Sequence, residues 1–387
     1  MTEDRRQRTE VLLRLRRAFN KSAMQWRTKI CLLIKQLAIQ LTQQKTLGKL
    51  LVMSSVFCLL SCGKEPLYQE QGYVFGTLVE VSVYGETEPR AKQAANEVLK
   101  EFQRLHEMLH AWQPSELSEL NAAFAKNQSV AVSSELVAIL KDVTRLAQLS
   151  NGSFNPAIGG LVKLWGFQAD EFRSEQPDKK QIAQWVQADP QLSDISIKQG
   201  RAQSKNKYVQ VDLGGYAKGY ALDRAAELLR NRGIRNALIN IGGNVLAIGQ
   251  HGNRPWRVGI QHPRKAGAMA TLDLYDGEAI GTSGDYQRFF MVGNVRYCHL
   301  INPRTGYPVQ GVQAATVIAR GEHAGVLSDV ASKPLFIAGE SGWREAARKM
   351  GVSDAMLVDT LGSVHLTSGL NKRLEFTEMK LRLQIQP

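Results

Sequence analysis

Hydrophobic positions along this chain follow two alternative spacings. Valines alternate with polar residues from Val79 to Val83, which is typical of a strand, whereas apolar residues after Pro89 recur every three or four positions, which is typical of a helix. These patterns predict strands over residues 73–84, 236–241, 256–260, 270–274, 295–301 and 312–319. They predict helices over residues 89–108, 134–149, 180–186, 217–232 and 323–338.

The predicted elements alternate without the strand–helix–strand rhythm of a parallel sheet. We therefore expect an α+β fold with a mixed or antiparallel sheet and packed helices. No internal repeat or low-complexity tract interrupts the body of the chain. A single domain is predicted over residues 73–376, preceded by a leader (1–62) and a linker (63–72) and followed by a tail (377–387).

Positive charge is concentrated at the start of the chain. The 387 residues carry a net charge of +13, but residues 1–50 hold 12 of the 49 Lys/Arg and only 3 of the 36 Asp/Glu. The rest of the chain is nearly balanced and lacks the basic surface of a nucleic-acid-binding protein. No nucleic-acid partner is expected.

The basic segment has the pattern of a secretion signal. Lys45 and Lys49 precede a short apolar run that ends in Leu-Leu-Ser-Cys at Cys62. These four residues resemble the lipobox of bacterial lipoproteins, so Cys62 is the predicted lipidation site. The mature protein is then expected in the bacterial periplasm, lipid-anchored to the inner or outer membrane. An uncleaved anchor or a buried helix is the alternative, and Met24 is an alternative start.

Cysteine usage is consistent with this layout. The other cysteines lie in the leader, so Cys298 is alone in the body of the chain. No internal disulfide and no cysteine zinc site is then possible. Cys298 is expected to be a small strand residue rather than a nucleophile.

The stretch VDLGGYAKGYALDRAAELL, which begins at Val211, combines a glycine pair with a charged helix start. Glycines allow backbone groups to approach a ligand, and a helix N-terminus favours anions. Lys218 in the first turn opposes the helix dipole unless an anion is bound. A phosphate site and a glycine-rich turn with a solvated lysine both fit, because the spacing is neither a dinucleotide fingerprint nor a P-loop.

Several other stretches carry polar or aromatic residues in unusual density. They are FGT from Phe75, WQPSELS from Trp112, SFNPAIGGLVKLWGF from Ser153, TSGDYQRFF from Thr282, HLINPRTGYPV from His299 and SDVASKPLFIAG from Ser328. In this order, together with DLGGYAKGYALD, they resemble the FAD:protein FMN transferases (ApbE) from about Tyr73 to Phe376. The resemblance implies an enzyme that transfers the FMN half of FAD, with Mg²⁺, to a threonine or serine of a partner protein and releases AMP.

The resemblance also implies roles for particular residues. Asp212 and Lys218 correspond to FAD contacts, as do Phe75, Trp112, Ser153, Phe154, Asn155 and Leu300. The Gly215 carbonyl and the Asp329 carboxylate correspond to metal ligands, since both are hard oxygen donors suited to Mg²⁺. Lys218 and Asp329 are accordingly candidate catalytic residues. The expected partner protein is an acceptor subunit of a periplasm-facing redox complex.

Two further residues have alternative interpretations. His299 could accept the proton of the acceptor hydroxyl as a general base, or it could be a strand histidine bonded to backbone. Asp285 is expected to cap a turn rather than to act in catalysis. Arg304 and Thr305 are expected to fix a turn beside the ligand.

One position departs from the family pattern. The family's metal segment has a threonine four residues after the aspartate, where this chain has Lys333. A protonated ammonium has no lone pair and cannot bind a cation. Either Ser332 supplies the oxygen, or Lys333 replaces part of the metal's charge. An FAD pyrophosphatase that yields FMN and AMP, and an FAD-binding lipoprotein without turnover, are therefore alternative functions.

Overall fold

The computed structural model describes residues 66–169, 175–378 and 381–386. The leader with its predicted lipidation site Cys62 lies outside the described residues, as does the start of the linker. No helix in these three ranges combines the length and the apolar character that crossing a bilayer requires.

Strands and helices follow one another irregularly along the chain. The strands are β1 Leu67–Val74, β2 Thr77–Tyr84, β3 Val130–Ala131, β4 Ile195–Lys198, β5 Arg201–Ser204, β6 Ala237–Ile241, β7 Asn244–Ile248, β8 Trp256–Gln261, β9 Ala268–Leu274, β10 Glu278–Gly284, β11 Phe289–Val292, β12 Val295–Cys298, β13 Val312–Arg320, β14 Asp354–Asp359, β15 Val364–Thr367, β16 Glu375–Phe376 and β17 Leu383–Gln386. The α-helices are α1 Glu88–Met108, α2 Glu116–Ala125, α3 Ser134–Leu149, α4 Gly159–Leu164, α5 Lys179–Ala188, α6 Ala217–Asn231, α7 Ala324–Lys349 and α8 Ser368–Asn371.

A nine-stranded sheet in the order β1-β2-β6-β7-β10-β13-β14-β15-β17 forms the centre of the fold. Its neighbours pair antiparallel except β15 and β17, which are parallel. The sheet is therefore mixed, and the predicted α+β class is confirmed. Alternate side chains point to opposite faces of each strand. Along β13, Ala315 and Val317 pack with residues of α7, whereas Ala314 and Ile318 pack with residues of β8 and β9.

The predicted boundaries of the domain stay a prediction, but strands of the central sheet lie beyond both of them. The predicted strand 73–84 is in fact the end of β1, a turn at Phe75 and Gly76, and the whole of β2. The strand β1 begins at Leu67, which lies inside the predicted linker. The predicted tail contains β17, which pairs with β15. Both are edge strands that pair through backbone groups and bury few side chains, so their sequences lack a strong apolar pattern.

Helices α6 and α7 carry the candidate site residues Lys218, Asp329, Ser332 and Lys333 and approach each other closely. Asp223 of α6 accepts hydrogen bonds from the backbone N–H groups of Gly325 and Val326, at 2.7 and 2.8 Å, and so caps the start of α7. Gly339 interrupts α7 with φ of 66° and ψ of −168°, which matches the predicted helix end at residue 338, although helical residues continue to Lys349.

Gly219 is where the two helices come closest. A Cβ atom on Gly219 would lie 2.5 Å from the carbonyl oxygen of Gly325 and 2.8 Å from Cβ of Asp329. Contacts this short with a backbone atom require one helix to move. The absence of a side chain at Gly219 therefore sets the separation of α6 and α7.

We expect Gly219→Ala to lower the free energy of unfolding by about 1–3 kcal/mol, the usual cost of overpacking. Urea unfolding followed by circular dichroism measures this change. Gly214→Ala is the control, because the added Cβ would meet only the Asp212 carboxylate, at 3.1 Å. Equal stability of the two variants would contradict the close contact.

Candidate functional site

Asp329, in the first half of α7, is a buried carboxylate with both oxygens engaged. Oδ2 accepts a hydrogen bond from the backbone N–H of Gly219 at 2.9 Å, and Oδ1 accepts one from Nζ of Lys333 at 2.6 Å. The same Nζ donates to the backbone carbonyl of Asp329 at 2.7 Å. Since the residue is only 2% exposed, these contacts replace the water that the charge loses on burial.

Positive charge around Asp329 keeps the carboxylate ionised. Burial alone would raise its pKa, but the ammonium groups of Lys333 and Lys218 and the Gly219 amide act against burial and bring the pKa below its ordinary value. Asp329 is therefore an anion that holds one lysine by direct contact and interacts with a second.

The side chain of Lys333 lies across Gly215. A Cβ on Gly215 would be 2.8 Å from Cε and 3.1 Å from Cδ of Lys333, and 3.5 Å from Cε2 of Phe154. Only a residue without a side chain leaves this space free. The glycine pair before α6 thus makes room for the Lys333 stem, and it brings Phe154 of the SFNPAIGG stretch to the same place.

Lys218, in the first turn of α6, makes no hydrogen bond or ion pair with the described part of the chain. Desolvation lowers its pKa, with Lys333 and Arg288 acting in the same direction and Asp329 against them. Two lysines therefore face one carboxylate, and one of them has no partner. Such an arrangement favours an anionic ligand.

His299 lies beside these charges and has a defined tautomer. Its Nδ1 is 3.2 Å from the backbone carbonyl of Arg288, which can only accept, so Nδ1 carries the proton and Nε2 keeps a lone pair. Desolvation lowers the pKa of His299 to about 3, and the charges of Arg288, Lys218 and Lys333 contribute to the shift. The ring is thus bonded to backbone through Nδ1, and a role of Nε2 as a general base stays a prediction.

The donors available at Asp329 do not fit a divalent cation. Both carboxylate oxygens are engaged, and the hydroxyl of Ser332, which is 1% exposed, donates to the Asp329 carbonyl at 2.8 Å and lies 2.7 Å from the Ser283 hydroxyl. Within the described ranges, one group of metal-binding side chains comes together, and it contains Glu340, Asp359 and His365. The magnesium site predicted from Gly215, Asp329, Ser332 and Lys333 stays a prediction.

Other predicted contact residues organise the loops around the lysines. Asp212 accepts from the Gly214 N–H at 2.9 Å and from Nε2 of Gln168 at 3.0 Å. Asn155 is buried, donates to the Pro190 carbonyl at 2.9 Å and accepts from the Ala157 N–H at 3.0 Å. The Asn155 amide thus shapes its loop. Ser153 continues the same turn, where its N–H donates to the Ser150 carbonyl.

Phe75 and Trp112 are the ends of a row of aromatic rings. Phe75 packs edge-on against His106 with centroids 5.6 Å apart, His106 lies 5.0 Å from His110, and His110 lies 4.6 Å from Trp112. Trp112 is 41% exposed, so this end of the row faces solvent. Flat, partly exposed rings of this kind can stack on a planar ligand.

The remaining predicted residues have structural contacts. Leu300 is buried, and its carbonyl accepts from the Val309 N–H at 2.8 Å. Asp285 forms a bidentate pair with Arg264, with both distances 2.6 Å, rather than only capping a turn. Arg304 donates to the Asn151 carbonyl at 3.1 Å and so connects two turns that are distant in sequence, whereas its place beside the ligand stays a prediction. Cys298 is buried in a strand, and burial raises its thiol pKa to about 12, which agrees with a structural residue.

Two residues that shape the site were missed. Arg288, in the TSGDYQRFF stretch, provides the carbonyl that orients His299, and its guanidinium donates to the Phe167 carbonyl at 2.6 Å. Asp223 caps α7 from a position about one hundred residues away in sequence. A backbone carbonyl cannot be recognised from residue type, but a half-buried aspartate among the apolar residues of a helix was a detectable signal.

The ApbE family model matches residues 75–357, which is most of the chain. The chain belongs to the ApbE family. A protein named FAD:protein FMN transferase from Rhodobacter capsulatus is 41% identical over 313 residues, which cover 81% of this chain but only 59% of that protein. A protein of the same name from Haemophilus influenzae is 28% identical over 87% of this chain and 99% of its own length.

Solved structures of ApbE proteins have the same fold. The ApbE protein of Thermotoga maritima superposes with a TM-score of 0.73 at 28% identity, over 80% of this chain and 99% of that chain. The flavin transferase ApbE from Vibrio cholerae gives a TM-score of 0.68 at 25% identity, over 80% of this chain and 100% of that chain. The single ApbE-like architecture predicted from the sequence is thereby confirmed.

The depressed pKa of His299 predicts a neutral imidazole across the physiological range. In the unfolded chain a histidine binds a proton below about pH 6.5. The native ring does so only near about pH 3. This group therefore makes the free energy of unfolding decrease as the pH falls from about 6.5 towards about 3. Histidine ¹⁵N NMR should show His299 as the Nδ1–H tautomer, with ring ¹⁵N chemical shifts that stay constant from about pH 8 to about pH 5.

The His299 resonance is assigned by its loss in His299→Gln. The same nitrogen in the urea-unfolded protein serves as the control, because it is expected to titrate normally. A native resonance that titrates near the unfolded value would contradict the assignment of His299 to a desolvated, positively charged site.

Proposed function

We propose that this chain is an enzyme that transfers the FMN moiety of FAD to a threonine or serine hydroxyl of an acceptor protein and releases AMP. Membership of a family whose relatives carry the name FAD:protein FMN transferase supports this function. The observation that carries it is the unpaired Lys218 beside the Lys333–Asp329 pair, which favours an anionic ligand.

A pyrophosphate fits this charge distribution. Lys333 uses two of its three N–H donors on Asp329 and keeps one, whereas Lys218 has all three available. The two ammonium groups can thus bind oxygens of both phosphates. Charge stabilisation of this kind, together with alignment, is the main requirement of phosphoryl transfer.

The transfer step is a substitution at phosphorus. The acceptor oxygen forms a bond to the FMN phosphorus while the bond from that phosphorus to the bridging oxygen breaks. AMP leaves with the bridging oxygen and its electron pair. Nε2 of His299 takes the hydroxyl proton and passes it to solvent. In the free enzyme, desolvation and the charges of Arg288, Lys218 and Lys333 make His299 a weak base. The negative charges of bound FAD would offset these positive charges and raise the pKa of His299 towards the range that a general base needs.

The flavin and adenine rings require flat surfaces, and three aromatic side chains are available. Phe154 lies against Gly215, whereas Phe75 and Trp112 belong to the aromatic row. We assign FAD contacts to these rings and to Asp212, Ser153, Asn155 and the Leu300 peptide.

Incubation with FAD and a purified periplasmic domain of a candidate acceptor subunit tests the proposal. In-gel flavin fluorescence on the acceptor with an equal amount of AMP supports the transferase. AMP and free FMN without labelling would instead indicate an FAD pyrophosphatase that uses water. Bound, intact FAD without AMP would indicate a flavin-binding lipoprotein without turnover.

We expect Asp329→Ala to reduce AMP release and acceptor labelling by about a hundredfold or more, since it removes the anion that holds Lys333. Asp276→Ala is the control, because Asp276 is an exposed carboxylate that contacts Arg230 and the Gly249 amide. Circular dichroism verifies that both variants fold. A folded Asp329→Ala protein with near wild-type AMP release would contradict the assignment.

We also propose that the protein acts in the periplasm, anchored through a lipid on Cys62. The order of basic flank, apolar run and Leu-Leu-Ser-Cys supports this location. A lipid anchor would keep the enzyme at the membrane, where an acceptor subunit of a periplasm-facing redox complex would present its hydroxyl.

Replacing Cys62 with alanine should prevent lipidation, so the protein is expected to leave the membrane fraction or to accumulate unprocessed. Fractionation with immunoblotting measures this, and Cys58→Ala, four residues earlier in the same apolar run, is the matched control. Unchanged retention and mobility of Cys62→Ala would contradict the lipoprotein assignment.

A further inference from the structure

Hydrogen bonds, packing and low exposure fix the position of Lys333. Nζ donates to two oxygens of Asp329, the aliphatic stem lies on Gly215, and the side chain is only 14% exposed. A surface lysine would sample many rotamers, whereas this one is held in a single position by an ion pair and by packing. The ammonium is therefore a built-in part of the site.

The side-chain oxygens that could bind a cation at this place are already engaged. Asp329 gives one carboxylate oxygen to Lys333 and the other to the Gly219 amide. The Ser332 hydroxyl is buried between the Asp329 carbonyl and Ser283. A divalent cation would have to displace Lys333 from Asp329 and remain next to its positive charge, which both electrostatics and coordination disfavour.

We propose that the Lys333 ammonium takes the place of a divalent cation, so that FAD binds and FMN is transferred without Mg²⁺. This inference rests on the proposed function. In the transfer step, the third N–H of Lys333 donates to a phosphate oxygen and stabilises the negative charge that AMP carries away. Asp329 then acts as a positioning residue for the ammonium rather than as a metal ligand.

The first test uses the wild-type protein and needs no variant. FAD affinity, measured by flavin fluorescence, should change by less than about twofold between EDTA and MgCl₂, which is under half a kcal/mol. Mn²⁺ added to the protein with FAD should keep the electron paramagnetic resonance spectrum of the free ion. Stoichiometric loss of that spectrum, or loss of FAD binding in EDTA, would overturn the inference.

Variants at position 333 provide the second test. Lys333→Thr exchanges the ammonium for a hydroxyl, so FAD affinity in EDTA should fall about tenfold, the size expected for one hydrogen bond to a charged group, and recover with Mg²⁺. Lys333→Met removes the charge and supplies no oxygen, so the loss of FAD affinity should persist when Mg²⁺ is added. Lys349→Thr is the matched control on the same helix, where Lys349 pairs with Glu345 at 3.6 Å.

The outcomes separate this inference from the proposed function. Acceptor labelling that occurs only with Mg²⁺ would overturn the role of Lys333 and leave the transferase intact. FAD binding that is insensitive to EDTA, without any labelling of acceptor, would support Lys333 and contradict the transferase. If Lys333→Thr and wild type respond alike to EDTA, the ammonium does not replace a metal.

Discussion

The buried charge of Asp329 is the constraint on which the rest of the site depends. A carboxylate in the interior is costly unless it is paired and hydrogen-bonded. Here Lys333 supplies the charge and Gly219 supplies the hydrogen bond. The Gly219 amide can reach Asp329 only because α6 and α7 lie in backbone contact. The hydrogen bond that stabilises this buried charge therefore requires the two helices to lie close together.

That geometry in turn depends on the sheet. The first half of α7 packs on β10 and β13, and Ser332 is tied to Ser283 at the end of β10. The α6 helix packs with α1 and with the strands β6 and β7. The central strands thus hold the helices so that Lys218, Lys333 and His299 face a common place. A small shift of either helix would separate the charges from one another.

Helices and strands with a regular spacing of apolar residues were predicted from the sequence, and several elements without such a spacing were missed. Apolar spacing placed α1, α3, α6 and the strands β2, β6 and β13 within a few residues, but it missed β7, β10, β14 and β15 of the same sheet. The edge strands β1 and β17 escaped because they are held by backbone hydrogen bonds that any residue can make. The helix α3 begins at Ser134, as predicted, and the residue before it, Ser133, is its N-cap.

The site was predicted unevenly for a similar reason. Residue types with a charge or a free base, such as Lys218, Asp329 and His299, are visible in a sequence. The pairing of Lys333 with Asp329 depends on the room that Gly215 leaves for the lysine stem, and whether Lys333 replaces part of the metal's charge stays a prediction. The buried amide of Asn155 and the carbonyl of Arg288 depend on partners distant in sequence, which spacing cannot reveal.

The break at Gly339 has a consequence for how local motion spreads through α7. A helix loses its hydrogen bonds from its ends inwards, and an uninterrupted helix would carry such fraying from Lys349 towards Asp329. The non-helical backbone at Gly339 ends the hydrogen-bond ladder between them. The outer half can then open and exchange its amide protons as a separate unit, while the half that holds the ion pair stays closed.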